Sequence, residues 1–313
     1  MVGQGITEAI TVQNLVKKYG NISAVDDVSF SVKEGEVFGI LGPNGAGKTT
    51  TLEIIEGLLR PTSGTTKVLG MDSQVSSMRV KESIGVQLQA SAYFGYLKLR
   101  EILDLFGRFY PNRVDATKLL NMVGLEQKAD VTVGKLSGGQ QQRFTIAAAL
   151  VNDPAIVFLD EPTTGLDPQA RRSLWEFIAN IRNEGKTVIL TTHYMEEAQF
   201  LCNRVAIMDH GKIIAEGSPE DLVRDLNVPY EIRFKLDAYA EVPDGILESL
   251  VDVQSTTIDE DGSYVLRSTD ATGSVSDLLE KTGSLNLRLS SLEVVPGNLE
   301  DVFLSLTGHR LRD

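Results

Sequence analysis

Residues 42–49 form a glycine-rich run that ends in a lysine and a threonine. An apolar run precedes it and an amphipathic helical pattern follows. Glycines at this spacing let backbone N–H groups turn towards phosphate oxygens, and a helix N-terminus adds donors and a favourable dipole. Lys48 can reach the β- and γ-phosphates, and the Thr49 hydroxyl can bind magnesium. The predicted phosphate-site residues are Gly42, Pro43, Asn44, Gly45, Ala46, Gly47, Lys48, Thr49 and Thr50.

Two adjacent carboxylates, Asp160 and Glu161, end the apolar run 155–159. At the carboxyl end of a buried strand they would face a ligand crevice. Asp160 can hold magnesium there, and Glu161 can polarise an attacking water. Adjacent carboxylates are usually solvated surface groups. Their position after a buried strand, in a chain with a phosphate loop, favours the catalytic interpretation.

The elements that must position these groups follow an alternating pattern. Short apolar runs alternate with helical patterns, which predicts an α/β fold built on a sheet covered on both faces. A helix is expected from the phosphate loop through Leu59, and a mainly helical insertion at about residues 90–152. Strands are predicted at 28–32, 37–41, 155–159, 188–190 and 205–208.

The composition of the 313 residues excludes several classes of protein. The net charge of −13 disfavours general nucleic-acid binding, which needs basic surface. Cys202 is the single cysteine, so no intrachain disulfide and no cysteine-rich zinc site are expected. It is either a reactive thiol or a small buried hydrophobe, and its surroundings favour the second. Neither a membrane span nor a signal peptide is predicted.

The chain after residue 220 is more acidic and indicates a second domain. Its pattern predicts the order β-α-β-β-α-β, a small α+β domain that can fold as a ferredoxin-like sandwich. The expected boundaries are residues 1–226 and 227–313. A last helix, 298–306, carries an apolar stripe that packs either on its own domain or on a dimer partner. The stripe consists of Leu299, Val302, Phe303 and Leu306.

Residues 136–140 read Leu-Ser-Gly-Gly-Gln and precede a predicted helix shortly before Asp160. Ser137 can cap that helix, and the glycines allow a second phosphate to approach its N–H groups. The run resembles the signature of the ABC ATPases. The resemblance implies a P-loop NTPase (RecA-like) core with an antiparallel β subdomain. It also implies that two subunits hold ATP head to tail, with contacts to the partner's nucleotide from Ser137, Gly138, Gly139 and Gln140.

Other motifs are similar to those of the same family. Tyr19 resembles the aromatic residue that stacks on adenine. Gln89 resembles the glutamine that reaches magnesium and the attacking water, although Gln87 competes by spacing. Asp167 matches the acid of the loop that crosses to the partner subunit. His193 resembles the histidine that contacts the γ-phosphate, although a lone histidine is more often structural.

Residues 84–89 and 296–308 resemble the ATPases of daunorubicin-resistance-type exporters. The resemblance predicts an ATPase that uses ATP and Mg²⁺ to drive a separate membrane permease from the cytoplasmic face of the membrane. A second, identical ATPase subunit is the expected partner, and nucleic acid is not. The alternatives are a soluble ABC ATPase acting on a macromolecular complex and a binding switch with little turnover. The acid at Glu161 argues against the switch.

The permease contact is expected, from the same resemblance, at about residues 90–100. This segment carries three aromatic residues, Tyr93, Phe94 and Tyr96. They either receive a helix of the membrane subunit or fill the core of the helical insertion, since both environments favour aromatic side chains.

Overall fold

The computed structural model describes residues 8–87, 93–226, 229–237, 242–243, 245–259 and 261–308. These residues form two compact units, which divide in sequence between Pro219 and Glu220. Each unit has its own sheet and its own buried apolar cluster.

The first unit contains most of the elements. Its strands are β1 (Glu8–Tyr19), β2 (Ile22–Lys33), β3 (Val37–Leu41), β4 (Ser63–Val68), β5 (Met71–Asp72), β6 (Ile84–Gln87), β7 (Ile156–Asp160), β8 (Thr187–Thr192), β9 (Arg204–Asp209) and β10 (Lys212–Gly217). Its helices are α1 (Lys48–Ile55), α2 (Ser77–Ser83), α3 (Leu99–Gly107), α4 (Ala116–Met122), α5 (Gly138–Ala149), α6 (Pro168–Asn183) and α7 (Met195–Leu201). Helix α8 (Pro219–Arg224) begins at the division between the units.

The central sheet has the strand order β10-β9-β3-β8-β7-β6. Strands β3, β6, β7, β8 and β9 run parallel, and β10 pairs antiparallel to β9. Every residue of β3, β7 and β8 is buried, as expected for parallel strands covered on both faces. This confirms the predicted α/β core and explains why its strands read as continuous apolar runs.

A second, antiparallel sheet has the order β2-β1-β4-β5. Its apolar residues join one core cluster with those of α1 and the central sheet, including the stacked rings of Phe30 and Phe38 at 5.2 Å. Cys202, which immediately follows α7, is also buried, and burial raises the pKa of its thiol. A buried, protonated thiol agrees with the hydrophobe interpretation rather than the reactive one.

Two predicted helices are shorter than their patterns indicate. Helix α1 ends at Ile55, so Leu59 packs on the core from the turn that follows the helix. In the insertion, Ile102, Leu105, Phe106 and Phe109 recur at helical spacing. Helix α3 nevertheless ends at Gly107, and Phe109 lies beyond it with 75% of its surface exposed. Apolar spacing predicts which residues face a core, but it does not predict where the backbone hydrogen bonding stops.

The second unit contains β11 (Tyr230–Leu236), β12 (Val253–Ile258), β13 (Tyr264–Ser268), α9 (Ala271–Ser284), β14 (Leu289–Pro296) and α10 (Leu299–Thr307). Its antiparallel sheet has the order β12-β13-β11-β14, as in a ferredoxin-like sandwich. The first predicted helix is reduced to a 3₁₀ turn, Leu247–Ser249. On α10, Leu299, Val302 and Phe303 are buried within the chain itself, while Leu306 is exposed.

Candidate active site

The candidate catalytic groups lie at the carboxyl ends of neighbouring strands β3, β8 and β7. Strand β3 leads into the glycine-rich loop, β8 ends just before His193, and β7 ends at Asp160 with Glu161 next. The register pairs Leu41 with Thr192 and Asp160 with Thr191, so the three strands end level. In an open parallel sheet this edge is where ligands bind.

The glycine-rich loop has a backbone that requires glycine at two positions. Gly42 has φ of 155° and Gly47 has φ of 102°. A Cβ on Gly42 would lie 2.2 Å from the carbonyl oxygen of Met208, and one on Gly47 would lie 2.3 Å from that of Ala24. The loop therefore passes very close to the chain on both sides. It ends at the N-terminus of α1, where unpaired N–H groups can face an anion.

Lys48, the first residue of α1, is folded back onto the loop. Its ammonium group donates hydrogen bonds to the carbonyl oxygens of Gly42 at 2.8 Å and Pro43 at 3.2 Å. Burial lowers the pKa of Lys48, while the carboxylates of Glu161 and Asp160 oppose this change. The cation is thus held within the loop at a point where a phosphate can take over its hydrogen bonds.

Asp160 and Thr49 form the candidate magnesium site. The Thr49 hydroxyl lies 3.2 Å and 3.3 Å from the two carboxylate oxygens of Asp160. Thr191, on the neighbouring strand, donates a further hydrogen bond to Oδ1 of the same carboxylate. A hydroxyl and a carboxylate are the hard oxygen donors that Mg²⁺ prefers, so these residues fit that ion.

Glu161 lies at the centre of the site. Its Oε1 is 3.7 Å from the Lys48 ammonium and 3.4 Å from Nδ1 of His193. The backbone of Glu161 has φ of 47°, a left-handed conformation that is uncommon outside glycine. Its N–H donates to the carbonyl oxygen of Thr191 at 3.2 Å and to the Thr191 hydroxyl at 3.0 Å, which holds this conformation. Thr164 donates to Oε2 at 3.2 Å.

Of the two candidate glutamines, Gln87 belongs to the described residues and Gln89 does not. Gln87 is the last residue of β6, pairs in register with Leu159 and is buried. Gln89, the residue that the resemblance favours, lies outside the described residues. Tyr19 ends β1 and has 49% of its surface exposed, with the Lys17 ammonium 5.0 Å from the centre of its ring.

Ser137 and Asp167 lie together in a different surface depression, of about 390 Å³. Ser137 caps α5, and its N–H donates to the side-chain oxygen of Gln140 at 3.1 Å. Asp167 caps α6 by accepting from the N–H of Ala170 at 2.9 Å. Gly138 and Gly139 line the same depression, and Lys48 and Glu161 are not among the described residues that line it. The signature residues are therefore separate from the phosphate loop of their own chain.

A groove of about 410 Å³ lies beside the helical insertion. The rings of Phe106 and Phe109 line it, and so does Glu56, which follows α1. Tyr93 also lines it and packs on Phe144 at 5.3 Å. The ring centres of Phe94 and Tyr96 lie 6.1 Å apart, and these residues have 52% and 78% of their surface exposed.

The three aromatics of the expected permease segment thus divide between the two interpretations. Tyr93 belongs to the packed insertion, whereas Phe94 and Tyr96 present their rings to solvent.

Two residues of the site had no role in the sequence analysis. Thr191 binds both Asp160 and the backbone of Glu161, and Thr164 binds the Glu161 carboxylate. The available signal for Thr191 is its position: a threonine at the end of an apolar strand has its hydroxyl at the ligand edge.

Comparison with known proteins gives a consistent assignment. Residues 25–164 match the family described as ABC transporter. A relative over nearly the whole length is the Nod factor export ATP-binding protein I of Ralstonia nicotianae, 38% identical over 99% of this chain and 97% of that protein. A solved ATP-binding subunit of an ABC transporter is 28% identical over 69% of this chain and 92% of its own, with a TM-score of 0.62.

A second solved structure is a dimeric ATP-binding cassette in a post-hydrolysis state with ADP and Pi. It is 30% identical over 67% of this chain and 98% of its own, with a TM-score of 0.60. Within the described part of this chain, every helix is too short or too polar to cross a bilayer.

Proposed function

The chain belongs to the ABC transporter ATPase family, and we propose that it is the ATP-binding subunit of a membrane exporter. Relatives that match it along nearly their whole length are named export ATP-binding proteins, which favours export over the soluble, non-transport alternative. The observation that carries the proposal is the placement of Lys48 and His193 within 4 Å of the Glu161 carboxylate. ATP hydrolysis is the activity of this family, and the cluster of Lys48, Glu161 and His193 would be its catalytic centre.

In the proposed reaction the loop N–H groups and Lys48 bind the β- and γ-phosphates of ATP. Glu161 orients a water for in-line attack on the γ-phosphorus and accepts its proton. His193 contacts the γ-phosphate. Its contact with Glu161 keeps the imidazole and the carboxylate on the same side of the γ-phosphate. Thr49 and Asp160 would hold Mg²⁺, which neutralises charge on the transferring phosphoryl group. By the family resemblance, Gln89 would contact the magnesium and the attacking water, and Tyr19 would stack on the adenine.

The second half of the proposed site comes from another copy of this chain. Ser137 and Gly139 stand at a helix N-terminus away from their own phosphate loop, where they can contact the γ-phosphate of a partner's ATP. Asp167 lies in the same depression, at the surface that would face the partner. The similar cassette described as dimeric supports this arrangement. Loss of the γ-phosphate removes these contacts, so hydrolysis would loosen the dimer.

The groove beside the insertion is the proposed docking site for the permease. Phe109 lines this groove with an exposed ring, and the exposed rings of Phe94 and Tyr96, which closely follow the groove residue Tyr93 in sequence, offer further apolar area to a cytoplasmic segment of the membrane subunit. Through it the ATPase would work at the cytoplasmic face of the membrane. Nod factor export is named for the relatives. In this proposal the exported substrate is bound by the membrane subunit and not by the ATPase.

The test is the substitution Glu161→Gln in the full chain, with Glu184→Gln as the control at an exposed carboxyl. Removing a general base lowers turnover by about 100-fold or more, whereas ATP binding depends on the loop and survives. Phosphate release would measure turnover, and light scattering with Mg-ATP would detect trapped dimers. Turnover equal to that of the control would refute the role of Glu161.

A further inference from the structure

A cluster of side chains lies behind the catalytic residues, between α6 and the start of α7. Arg171 and Trp175 come from α6, and Glu197 comes from the first turns of α7. Tyr194 lies between His193 and α7. The reaction described above uses none of these four side chains directly.

Glu197 is the centre of this cluster and is completely buried. The indole N–H of Trp175 donates a hydrogen bond to its Oε1 at 3.0 Å. Burial raises the pKa of Glu197, while the hydroxyls of Thr192 and Thr163, the indole and Arg171 favour the charged form. A buried carboxyl is unfavourable unless its neighbours compensate. Its neighbours here come from separate segments of the active site.

Those neighbours connect the two catalytic loops. Thr163 lies in the loop between Glu161 and Asp167, and Thr192 immediately precedes His193. Glu197 therefore lies between the segment that carries the general base and the segment that carries the histidine.

Ring contacts add a second connection. The guanidinium of Arg171 lies 4.2 Å from the centre of the Tyr194 ring, which lies 4.1 Å from the His193 ring. Arg171 is in the first turn of α6, the helix that Asp167 caps. A chain of contacts therefore runs from the Asp167 loop through α6, Arg171 and Tyr194 to His193.

The cluster is incompletely hydrogen-bonded in this conformation. Thr163 Oγ1, Arg171 Nε and Glu197 Oε2 are buried and have no hydrogen-bond partner among the described residues. The Thr163 hydroxyl is near enough to favour the charge on Glu197, but the two groups do not meet hydrogen-bond geometry. Native proteins satisfy most buried polar groups, so these three atoms leave the cluster hydrogen-bonding capacity for a rearrangement of its segments.

We propose that Glu197 is a positioning residue that joins the Glu161–Asp167 loop and α6 to the His193 segment, so that the two move together. This rests on the proposed ATPase function. When the Asp167 surface meets a partner, the cluster transmits the shift and aligns His193 with Glu161. Glu197 does not touch the nucleotide in this account; it acts through Thr163, Thr192 and Trp175.

The test compares Glu197→Gln and Glu197→Ala with Glu196→Gln in the full chain. Glu196 is the adjacent carboxyl on α7, but it is exposed, so it is a matched control. Misplacing a catalytic group by about 1 Å can lower turnover by about 100-fold, so we expect Glu197→Ala to lower kcat by about that factor. KM should stay within about twofold, because the phosphate loop is unchanged. Glu197→Gln keeps an oxygen for Trp175 and should recover part of kcat.

Trp175 provides a readout that does not depend on turnover, because it is the single tryptophan of the chain. In a Glu161→Gln background, Mg-ATP should change its fluorescence, and Glu197→Gln should reduce that change. Glu196→Gln should leave it as it was. A variant that fails to fold would show this by circular dichroism, and the glutamine variant and the fluorescence then decide the question.

Two results would overturn the proposal. One is kcat for both Glu197 variants equal to that of Glu196→Gln. The other is the same nucleotide-dependent fluorescence change with and without the Glu197 carboxylate. If the unmodified chain shows no ATP turnover at all, the proposed function fails, but the fluorescence comparison still decides the role of Glu197.

Discussion

Glu161 has an unfavourable backbone conformation, and its carboxylate lies at the centre of the candidate active site. A left-handed conformation costs a non-glycine residue about 1 kcal/mol or more, and the two hydrogen bonds to Thr191 offset it. The consequence is that the carboxylate leaves the end of β7 towards Lys48 and His193 rather than continuing the strand direction. The orientation of the proposed general base is thus set by its backbone and by the neighbouring strand.

Glu56 is a second buried carboxyl, and its environment makes a prediction about pH. Burial, together with the nearby charges of Asp160 and Glu53, raises the pKa of Glu56 to about 8. The folded chain therefore holds a proton on Glu56 that the unfolded chain releases at lower pH. The stability that this proton provides is complete below about pH 4.5 and decreases as pH rises towards 8.

Glu56→Gln should remove that loss, because an amide carries no charge to desolvate. At pH 8 we expect urea unfolding to give the variant a free energy of unfolding higher than that of the parent by on the order of a few kcal/mol. Near pH 4.5 the variant and the parent should have similar free energies of unfolding. EDTA keeps metal away from Asp160 during the measurement. Glu82→Gln, at an exposed carboxyl of α2, is the control. Parallel pH profiles for the two variants would contradict the effect of burial.

Elements, rather than single residues, connect the proposed functional surfaces. Helix α1 begins with Lys48 at the phosphate loop, and Glu56, in the groove wall, immediately follows its end. Helix α6 begins at Asp167 and carries Arg171 and Trp175 to the His193 segment. Helices transmit displacement because their backbone hydrogen bonds keep them rigid, so each links two regions that would otherwise be independent.

The hydrogen bond that caps the start of α6 makes a prediction about stability. Asp167 accepts the N–H of Ala170, so Asp167→Ala should lower the free energy of unfolding by about 1 kcal/mol. Asp167→Asn retains a side-chain oxygen that caps almost equally well, and should be nearly neutral. Thermal unfolding without nucleotide measures both. Equal destabilisation by the two substitutions would show that charge, and not the cap, is what matters.

At the scale of the whole molecule, the net charge of −13 is unevenly distributed, with most of the excess after residue 220. The second unit has its own sheet and apolar cluster, so the first unit keeps the phosphate loop and its core without it. We therefore expect nucleotide binding to depend on the first unit alone.

Deleting residues 228–313 should accordingly leave nucleotide binding intact and alter dimerisation or transport. A fluorescent ATP analogue measures binding, and light scattering with Mg-ATP in the Glu161→Gln background measures dimers. Unchanged dimerisation and unchanged transport in the truncated chain would make the second unit dispensable for both. Loss of binding would instead mean that the first unit needs the second to fold.

Local chemistry made the phosphate loop and the positions of several core strands predictable from the sequence. A glycine run that ends in Lys48 and Thr49 is itself the signal of a phosphate loop, and a strand buried on both faces must be apolar throughout. Helix ends were less predictable: α1 and α3 stop before their apolar patterns do, because hydrogen bonding and not side-chain spacing ends a helix.

Only the tertiary structure decided which residues meet. The order β3-β8-β7 puts His193 and Glu161 beside Lys48, although other elements separate all three along the chain. It also packs Tyr93 against Phe144 while exposing Phe94 and Tyr96, and it places Glu197 between two catalytic loops. The physical reason is that burial and contact depend on strand pairing and helix packing between distant segments, which the type of a residue and its immediate neighbours do not encode.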